Sequence, residues 1–316
     1  MPTPIGRRRI LVIKHGALGD FVLATGPFTA IRAHHLADSV TLLTTPPFAD
    51  FARLSSLFDE VWTDTRPGPF QVGAWLDLIH RLRGGGFARV YDLQTSDRSS
   101  LYFRFFARPK PEWSGIAPGA SHRHTNPNRT RMHTIDRQAD QLRAAGIDHT
   151  PHPDLSWSRT DISGLGLPKR YALLVPGGSA HRPAKRWPAA KYAELASRLA
   201  ARGLTPVAVG GAEDRAVTHG AVAAGGQDLA GQTSLAELVE IARGAELAVG
   251  NDSGPMHVAA TVGCRAVVLF SHESDPALCA PRGPEVRILR KPKLADLSVD
   301  EVAEVALKGQ DLKVFG

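Results

Sequence analysis

The sequence predicts an α/β protein made of two Rossmann-like, doubly wound units, each about half of the chain. Short runs of β-branched and apolar residues alternate with segments of helical period along almost the whole sequence. This alternation is typical of parallel sheets that carry helices on both faces. The chain has 316 residues, and one domain takes about 100 to 200 residues, so we expect two such units.

The first half contains the first strand–helix series. Apolar runs predict strands over 9–13, 40–43, 61–62 and 89–91. Apolar residues at helical spacing predict helices over 21–34, 75–82 and 134–145. The segment 107–131 is rich in Pro, Gly, His, Arg and Asn and has no period, so we expect a long loop there, and such loops are functional or mobile.

A linker over 151–168, with three prolines and two glycines, separates the predicted domains 1–160 and 161–316. In the second half, strands are predicted over 171–175, 205–209, 246–249 and 266–270, the last being the final clear strand. Helices are predicted over 188–201, 214–223, 234–243 and 255–262, with one more near the C-terminus. Capping-box patterns open the helices that follow Ser234 and Ser298.

The net charge is +7, and basic residues are concentrated between Arg98 and Arg137, which favours an anionic partner. The basic stretch lacks interleaved aromatic residues, so nucleic acid is not expected as that partner. No apolar run reaches the roughly 20 residues that a membrane-spanning helix needs, and no signal-peptide pattern is present. We therefore expect a cytoplasmic protein. The two cysteines and the histidines of the basic stretch show no zinc-type spacing, so no metal site is expected.

Ligands of doubly wound sheets bind at the carboxyl ends of strands, and four loops there carry candidate groups. In Gly16-Ala-Leu-Gly-Asp20, the aspartate could face a ligand or cap the helix. The loop that leads to Lys185 suits a phosphate group, or is a solvated loop with incidental charge. Glu213, in a third loop, could accept hydrogen bonds from a ribose or complement a helix dipole.

The fourth loop, Gly250-Asn-Asp-Ser-Gly-Pro-Met-His257, joins a buried strand to a short helix. Free backbone N–H groups at Ser253 and Gly254 would form an anion site at the start of that helix. His257 could be a ligand contact or a satisfied core histidine. This loop is the most specific of the four.

Taken together, the four loops resemble the heptosyltransferase family of inverting glycosyltransferases, glycosyltransferase family 9. The matching segments span almost the whole chain: 10–20, 185–188 (Lys-Arg-Trp-Pro), 210–213, 229–237 and 250–260. The resemblance implies a GT-B fold, which consists of two facing Rossmann-like domains with a cleft between them. It also implies that the acceptor binds the N-terminal domain and the nucleotide sugar mainly the C-terminal one.

The resemblance implies that Asp20 is the catalytic base and that Lys185 contacts the donor diphosphate and assists catalysis. The donor- and nucleotide-binding set that it implies is Lys14, Gly19, Ser179, Lys185, Glu213, Asp252, Ser253, Gly254, Pro255 and His257. From the basic stretch we expect Arg98, Arg129 and Arg131 to meet an anionic acceptor. No Asp-x-Asp motif occurs, so we expect metal-independent transfer without a cofactor.

The expected reaction is inverting transfer of a sugar, heptose from ADP-heptose, to a hydroxyl of an anionic lipopolysaccharide-core or related glycan acceptor. We also expect peripheral contact with the inner face of the cytoplasmic membrane. The family pattern is altered at 14–18 and 271–276, which leaves the donor sugar and the acceptor open. A sugar-nucleotide epimerase of the same fold and a non-catalytic sugar-nucleotide-binding protein are the alternatives. A nicotinamide oxidoreductase is disfavoured because no strand end carries G-x-G-x-x-G.

Overall fold

The computed structural model describes residues 7–178, 181–223 and 225–308. The chain divides into two compact units, Met1–Trp157 and Ser158–Gly316, and this division falls inside the proline-containing segment 151–168. Each unit is built on one six-stranded sheet in which every described strand pair is parallel. Two parallel sheets with helical crossovers are the α/β architecture that the sequence predicts.

The N-terminal unit has its strands in the order β3-β2-β1-β4-β5-β6. The strands are β1 (Arg9–Ile13), β2 (Ser39–Thr44), β3 (Glu60–Thr63), β4 (Phe87–Asp92), β5 (Glu112–Gly115) and β6 (His122–Arg123). The helices are α1 (Leu18–Leu23), α2 (Thr25–His34), α3 (Pro46–Arg53), α4 (Val72–Gly84), α5 (Asp97–Tyr102) and α6 (Thr134–Arg143). A 3-10 turn at Arg129–Arg131 precedes α6.

The C-terminal unit has the order β12-β11-β10-β7-β8-β9. Its strands are β7 (Tyr171–Val175), β8 (Thr205–Ala208), β9 (Gln227–Asp228), β10 (Leu247–Asn251), β11 (Ala266–Phe270) and β12 (Val286–Arg290). Its helices are α7 (Ala189–Ala200), α8 (Arg215–Val222), α9 (Leu235–Gly244), α10 (Gly254–Thr261), α11 (Pro276–Cys279) and α12 (Val299–Leu307). Further 3-10 turns lie at Ser163–Leu165, Pro183–Lys185, Ala212–Asp214 and Leu294–Asp296.

Both sheets follow the same doubly wound order, in which the strand sequence reverses direction once. The reversal lies between β1 and β4 in the N-terminal unit and between β7 and β10 in the C-terminal unit. The central strands β1 and β7 are buried almost throughout, which is why their sequences read as continuous apolar runs. At such a reversal the neighbouring crossovers leave a crevice at the carboxyl ends of the strands, where ligands bind.

The predicted helix over 21–34 is wrong in its boundaries, because the structure has two helices there. Ala24 is the C-cap of α1 and the N-cap of α2. Pro27 has no N–H to donate to the carbonyl oxygen of Leu23. In addition, the Thr25 hydroxyl donates a hydrogen bond to the carbonyl oxygen of Val22 at 2.8 Å. These two features interrupt the helical hydrogen bonds and permit the break.

The predicted long loop over 107–131 is also wrong, since it contains β5 and β6. β5 is short, with only Trp113 as a large apolar residue, and Gly115 packs against the Asp92 side chain. A second correction concerns β12, which follows the segment expected to be the last clear strand. This strand, Val286-Arg-Ile-Leu-Arg290, contains two exposed arginines and is only partly buried, so hydrophobicity alone does not reveal it.

Both predicted capping boxes are confirmed. Ser234 accepts from the N–H of Glu237 at 3.2 Å while its own N–H donates to the Glu237 carboxylate at 2.7 Å. The same exchange joins Ser298 and Glu301 at 3.2 and 2.9 Å. Within the described ranges, none of the helices has the length and apolar character needed to cross a membrane.

Candidate functional site

The loop between β1 and α1 places Asp20 at the carboxyl edge of the N-terminal sheet. Gly16 has φ = +122°, and a Cβ there would lie 2.4 Å from Cε2 of Phe48, so only glycine fits this turn. Asp20 lies in the first turn of α1, which begins at Leu18. The N-cap residue is Ala17, and no side chain bonds the helix end. The interpretation of Asp20 as a cap is therefore wrong, and its carboxylate is available for another role.

Lys14 is a buried cation at the end of β1. Its exposure is 3%, and its Nζ lies 3.4 Å from the carbonyl oxygen of Leu93. Burial lowers the pKa of Lys14, while the carboxylates of Asp20 and Asp92 act to raise it and the charge of Arg137 lowers it further. The Lys14 ammonium is therefore within electrostatic range of the carboxylates of Asp20 and Asp92 and of the Arg137 guanidinium.

Asp92, at the carboxyl end of β4, is the main site residue that the sequence reasoning missed. Its Oδ1 accepts from the N–H groups of Gln94 at 3.1 Å and Thr95 at 3.0 Å, and its Oδ2 accepts from Ser99 Oγ at 3.0 Å. Burial raises the pKa of Asp92 to about 6, although these hydrogen bonds and Lys14 act to lower it. The sequence signal that could have identified Asp92 is its position, because it is an acidic residue directly after the predicted strand 89–91.

A second buried carboxylate, Asp64, lies just after β3 and fixes the position of His15. The Asp64 Oδ2 atom is 3.2 Å from Nε2 of His15 and accepts a short hydrogen bond from the Tyr102 hydroxyl. Burial acts to raise the pKa of Asp64, but the bonds from His15, Tyr102 and the backbone of Arg66 lower it to about 2. Asp64 is therefore an anion at neutral pH, and it lies within ion-pair distance of His15, the residue that follows Lys14.

Arg98, an expected acceptor contact, has its side chain engaged within the N-terminal unit. Its guanidinium carbon lies 4.5 Å from the centre of the Trp75 ring. Its Nε donates to the Tyr102 hydroxyl at 2.8 Å, and its Nη1 donates to the Pro67 carbonyl at 3.1 Å. These contacts hold Arg98 within the N-terminal unit, and acceptor binding by Arg98 stays a prediction, as it does for Arg129 and Arg131.

Arg129 and Arg131 occupy the 3-10 turn before α6, with Arg131 exposed and Arg129 half-buried. Burial lowers the pKa of Arg129, and the nearby charge of Arg137 lowers it further. Among the described residues, no carboxylate lies within ion-pair distance of Arg129, Arg131 or Arg137. Because Arg137 also acts on Lys14, this positive charge extends to the β1–α1 loop.

The three histidines of the basic stretch serve different contacts. His124 Nε2 lies 2.8 Å from Asp140, and His122 Nε2 lies 4.0 Å from Glu112. His133 accepts from the N–H of Ile135 at the start of α6. Across the described part of the chain, no group of three or more His, Cys, Asp or Glu side chains is arranged to hold a metal ion.

In the C-terminal unit, Asn251 ties the loop after β7 to the end of β10. Its side-chain amide donates to the carbonyl oxygens of Pro176 at 2.8 Å and Gly177 at 3.1 Å. Its Oδ1 accepts from the Trp187 N–H at 3.0 Å and the Tyr192 hydroxyl at 3.1 Å. One fully buried amide therefore fixes both ends of the Gly-rich loop. The sequence reasoning gave it no role, although it lies inside the most specific segment.

Lys185 and Asp252 are brought together by this arrangement. The Lys185 Nζ lies 2.5 Å from the Asp252 Oδ2, which also accepts from the Ser274 hydroxyl at 2.6 Å. Beside them, Ser253 is the N-cap of α10, Gly254 opens the helix and Pro255 lies in its first turn. The Ser253 hydroxyl is buried without a hydrogen-bond partner among the described residues. A lysine next to an uncapped helix start can bind a phosphate group.

The remaining predicted residues occupy different environments. Glu213 is exposed in the 3-10 turn after β8, whereas its neighbour Asp214 is buried and accepts from the Gly211 N–H and from Arg186, both at 3.2 Å. His257 is buried on α10. Gly19 lies on α1 with Asp20. Ser179 lies outside the described residues.

Comparisons with known proteins agree with this architecture. The model of the family Glycosyltransferase family 9 (heptosyltransferase) matches residues 75–304. Lipopolysaccharide heptosyltransferase 2 of Escherichia coli (strain K12) is 27% identical over 316 aligned residues, which cover 89% of this chain and 88% of the relative.

Two solved structures share the fold. The E. coli ADP-heptose lps heptosyltransferase II matches with a TM-score of 0.76 and 23% identity, covering 94% of this chain and 97% of that one. A family 9 glycosyltransferase from Veillonella parvula DSM 2008 matches with a TM-score of 0.81 and 21% identity, covering 94% and 95%. The fold is thus the predicted GT-B fold of two Rossmann-like units. The family model covers well over half of the residues, and the chain belongs to glycosyltransferase family 9, the heptosyltransferases.

Proposed function

We propose that this protein transfers heptose from ADP-heptose to a hydroxyl of an anionic lipopolysaccharide-core or related glycan acceptor, with inversion at the anomeric carbon. The observation that supports this most is the position of Asp20. Asp20 lies in the first turn of α1 without being its N-cap, at the strand reversal of the N-terminal sheet, and its carboxylate acts on the charge of the buried Lys14. The donor and acceptor are suggested by the names of the E. coli relatives.

In the proposed step, the acceptor hydroxyl oxygen attacks the anomeric carbon as the bond from that carbon to the diphosphate oxygen breaks. Asp20 takes the hydroxyl proton, and ADP leaves with the bonding electron pair. A positioned general base of this kind contributes about 10²- to 10⁴-fold to the rate. Attack on the face opposite the leaving group inverts the configuration.

The leaving diphosphate gains negative charge in the transition state, and Lys185 with the N–H groups at the start of α10 would stabilise it. Asp252 keeps Lys185 oriented through their 2.5 Å contact. Glu213, exposed after β8, would accept hydrogen bonds from the ribose. Lys14, Gly19, Pro255 and His257 complete the proposed donor set as supporting positions.

The acceptor would meet Arg129 and Arg131. Both lack an ion-pair partner among the described residues, so their charge is available to the phosphates or acidic sugars of a core glycan. We expect no metal requirement, because a lysine and helix N–H groups can neutralise the diphosphate. Restoration by magnesium of an activity that a chelator had abolished would contradict this expectation.

The experiment compares wild type, Asp20→Asn and the control Asp97→Asn. Asp97 is an exposed aspartate in the first turn of α5, so it is also an acid near a helix N-terminus, but without the proposed role. We expect Asp20→Asn to lower kcat by about 10²- to 10⁴-fold while the thermal shift with ADP stays at the wild-type value. Asp97→Asn should leave both unchanged. A kcat within tenfold of wild type for Asp20→Asn would remove Asp20 as the base.

Two further measurements test the reaction class. The anomeric configuration of the product, read by NMR coupling constants, should be opposite to that of the donor. A panel of ADP, UDP and GDP should give a selective shift with ADP, because a ligand that binds only the folded state raises the midpoint with its occupancy. Donor consumption without any acceptor would instead indicate an epimerase.

A further inference from the structure

His15, in the loop between β1 and α1, is held by side chains from three other strand ends of the N-terminal sheet. Its N–H donates to Gln94 Oε1 at 2.9 Å in the loop after β4, and its carbonyl oxygen accepts from the Thr45 hydroxyl at 2.7 Å after β2. Its imidazole Nε2 lies 3.2 Å from the Asp64 carboxylate after β3. The backbone donor, the backbone acceptor and the side chain of this one loop residue are therefore all engaged by neighbouring loops.

The pair formed by His15 and Asp64 is buried. The two residues are exposed to 5 and 2%, and the His15 ring packs edge-on against the Tyr102 ring, with 5.9 Å between the ring centres. The Tyr102 hydroxyl and the Arg66 N–H donate to the same carboxylate. These donors restrain the carboxylate, so Asp64 presents a fixed oxygen atom to the imidazole.

His15 also lies between two groups of the proposed reaction. Lys14 precedes it in the chain, and Asp20 follows in the first turn of α1. Only Gly16 and Ala17 separate His15 from that helix, and a Cβ on Gly16 would lie 2.4 Å from a neighbouring ring carbon. Because this connection is short and tightly packed, a displacement of His15 also displaces the start of α1 and the carboxylate of Asp20.

We propose that His15 is a positioning residue of the transfer reaction, which acts through Asp64 to fix the loop that carries Lys14 and Asp20. This role rests on the proposed function, in which Asp20 is the base, whereas the restraint on the loop rests on the contacts of His15 alone. A base must lie within hydrogen-bond reach of the hydroxyl proton, and a displacement of about 1 Å can lower the rate by about 10²-fold. His15 belongs to the segment 14–18 in which the family pattern is altered, so the family resemblance assigns it no role.

A second buried histidine of the same unit provides a matched control. His35 Nδ1 lies 2.7 Å from the Asp38 carboxylate, and its Nε2 lies 2.9 Å from the Tyr91 hydroxyl. The residue is exposed to 3%, and its ring also packs edge-on against that tyrosine ring. His35 lies between α2 and β2, at the amino edge of the sheet and opposite the edge that carries Asp20. Loss of the imidazole should therefore destabilise the unit at either position but loosen the β1–α1 loop only at His15.

The first measurement is hydrogen–deuterium exchange of the segment 14–24, without substrate, in wild type, His15→Phe and His35→Phe. Phenylalanine keeps an aromatic ring at each position but cannot bond a carboxylate. We expect the backbone amides of this segment to exchange about tenfold faster in His15→Phe, because loss of one buried hydrogen-bonding partner shifts local opening by about that factor. His35→Phe should keep the wild-type exchange. Unchanged exchange in His15→Phe would overturn the inference.

The second measurement is steady-state kinetics at a temperature where every variant is folded. His15→Phe should lower kcat by about 10- to 10²-fold with little change in the donor KM, because a displaced base weakens the transition state rather than donor binding. His35→Phe should have the wild-type kcat. His15→Gln should retain more of the kcat than His15→Phe, because the glutamine amide can donate to Asp64 in place of Nε2. Faster exchange in His15→Phe at wild-type kcat would reduce His15 to a structural residue and overturn the inference.

Two more variants test the path through Asp64. Asp64→Asn should also lower kcat, and the double variant with His15→Phe should be no slower than the slower single variant, since both remove the same restraint. Losses of kcat that multiply in the double variant would contradict a path through Asp64. Thr45→Val removes only the hydroxyl that bonds the His15 carbonyl oxygen, so it keeps the test available if the histidine variants do not fold. It should change exchange and kcat in the same direction, and no change in either would overturn the inference.

Failure of the proposed function is recognised separately. Asp20→Asn that abolishes activity, with wild-type exchange and kcat in His15→Phe, would keep the proposed base and discard the positioning role. Wild-type kcat in Asp20→Asn, with a slow His15→Phe, would discard the proposed base and keep the positioning role for Lys14. In a protein without transferase activity, exchange that still depends on His15 would keep the restraint on the loop and discard the proposed reaction.

Discussion

The pair formed by Lys185 and Asp252 gives the sharpest test of the donor side of the site. Their side chains are only 12 and 7% exposed, and the Nζ–Oδ2 distance is 2.5 Å. Removing the lysine leaves the carboxylate with the Ser274 hydroxyl as its one remaining hydrogen-bond partner among the described residues. Breaking a buried ion pair by deleting one partner costs about 3 to 5 kcal/mol. We expect about 3 kcal/mol for Lys185→Ala, because the pair keeps some contact with water.

The measurement is guanidinium unfolding of wild type, Lys185→Ala, Asp252→Asn and the double variant. Removing both charges should cost less than removing the lysine alone, since no unpaired buried charge is left, and the cycle should show a coupling of about 2 kcal/mol. The exposed pair of Arg170 and Glu246 in the same unit, 2.8 Å apart, is the control. Arg170→Ala should cost clearly less than Lys185→Ala, because water screens an exposed ion pair.

The same variants test nucleotide binding. ADP at about 100 times its Kd should stabilise wild type by about 2.7 kcal/mol, and Lys185→Ala should lose most of this gain, since a hydrogen bond to a charged group contributes about 1.5 to 3 kcal/mol. A Lys185→Ala variant that loses under about 1 kcal/mol, or that keeps the full ADP stabilisation, would refute the reasoning.

Two further predictions concern the N-terminal unit. Burial holds the pKa of Asp92 near 6 against an ordinary 3.8, so the folded state binds more protons between these values and stability falls as pH rises. Relative to Asp92→Asn, wild type should lose roughly 3 kcal/mol of unfolding free energy across that window, measured by denaturant titrations at several pH values; a pH-independent difference would contradict it. Arg98→Ala should cost about 2 kcal/mol through its contacts with Trp75 and its hydrogen bonds, whereas the exposed Arg131→Ala should change stability by under about 0.5 kcal/mol and raise the acceptor KM. The opposite ranking in unfolding and kinetic assays would favour Arg98 over Arg131 as the acceptor contact.

The sequence predicted the elements whose local pattern and final environment agree. β1, β7 and β11 are apolar because both faces of a central parallel strand are buried, so their bounds could be predicted to the residue. The capping boxes at Ser234 and Ser298 are local hydrogen-bond exchanges that need no tertiary partner. Four strand-end loops, read together, also predicted the family.

The elements that the sequence did not reveal depend on neighbours that are distant in the chain. β5 is a strand because β4 lies beside it, and its own residues carry little β signal. β12 pairs with β11 at the edge of the sheet. Its exposed arginines interrupt the apolar run that would otherwise predict a strand. The start of α2 also packs against a distant segment, since a Cβ on Gly26 would lie 2.2 Å from the Pro151 carbonyl oxygen.

The candidate site shows the same division. The sequence by itself determined which residue types occur at the strand ends, and therefore that Asp20, Lys185 and Asp252 are the groups to test. Only the tertiary structure decided that Asp20 is no cap, that Lys185 is paired with Asp252, and that Asp92 and Asp64 are buried beside the β1–α1 loop. Burial and charge pairing arise between segments about 50 to 80 residues apart in the chain, for which a local pattern contains no signal.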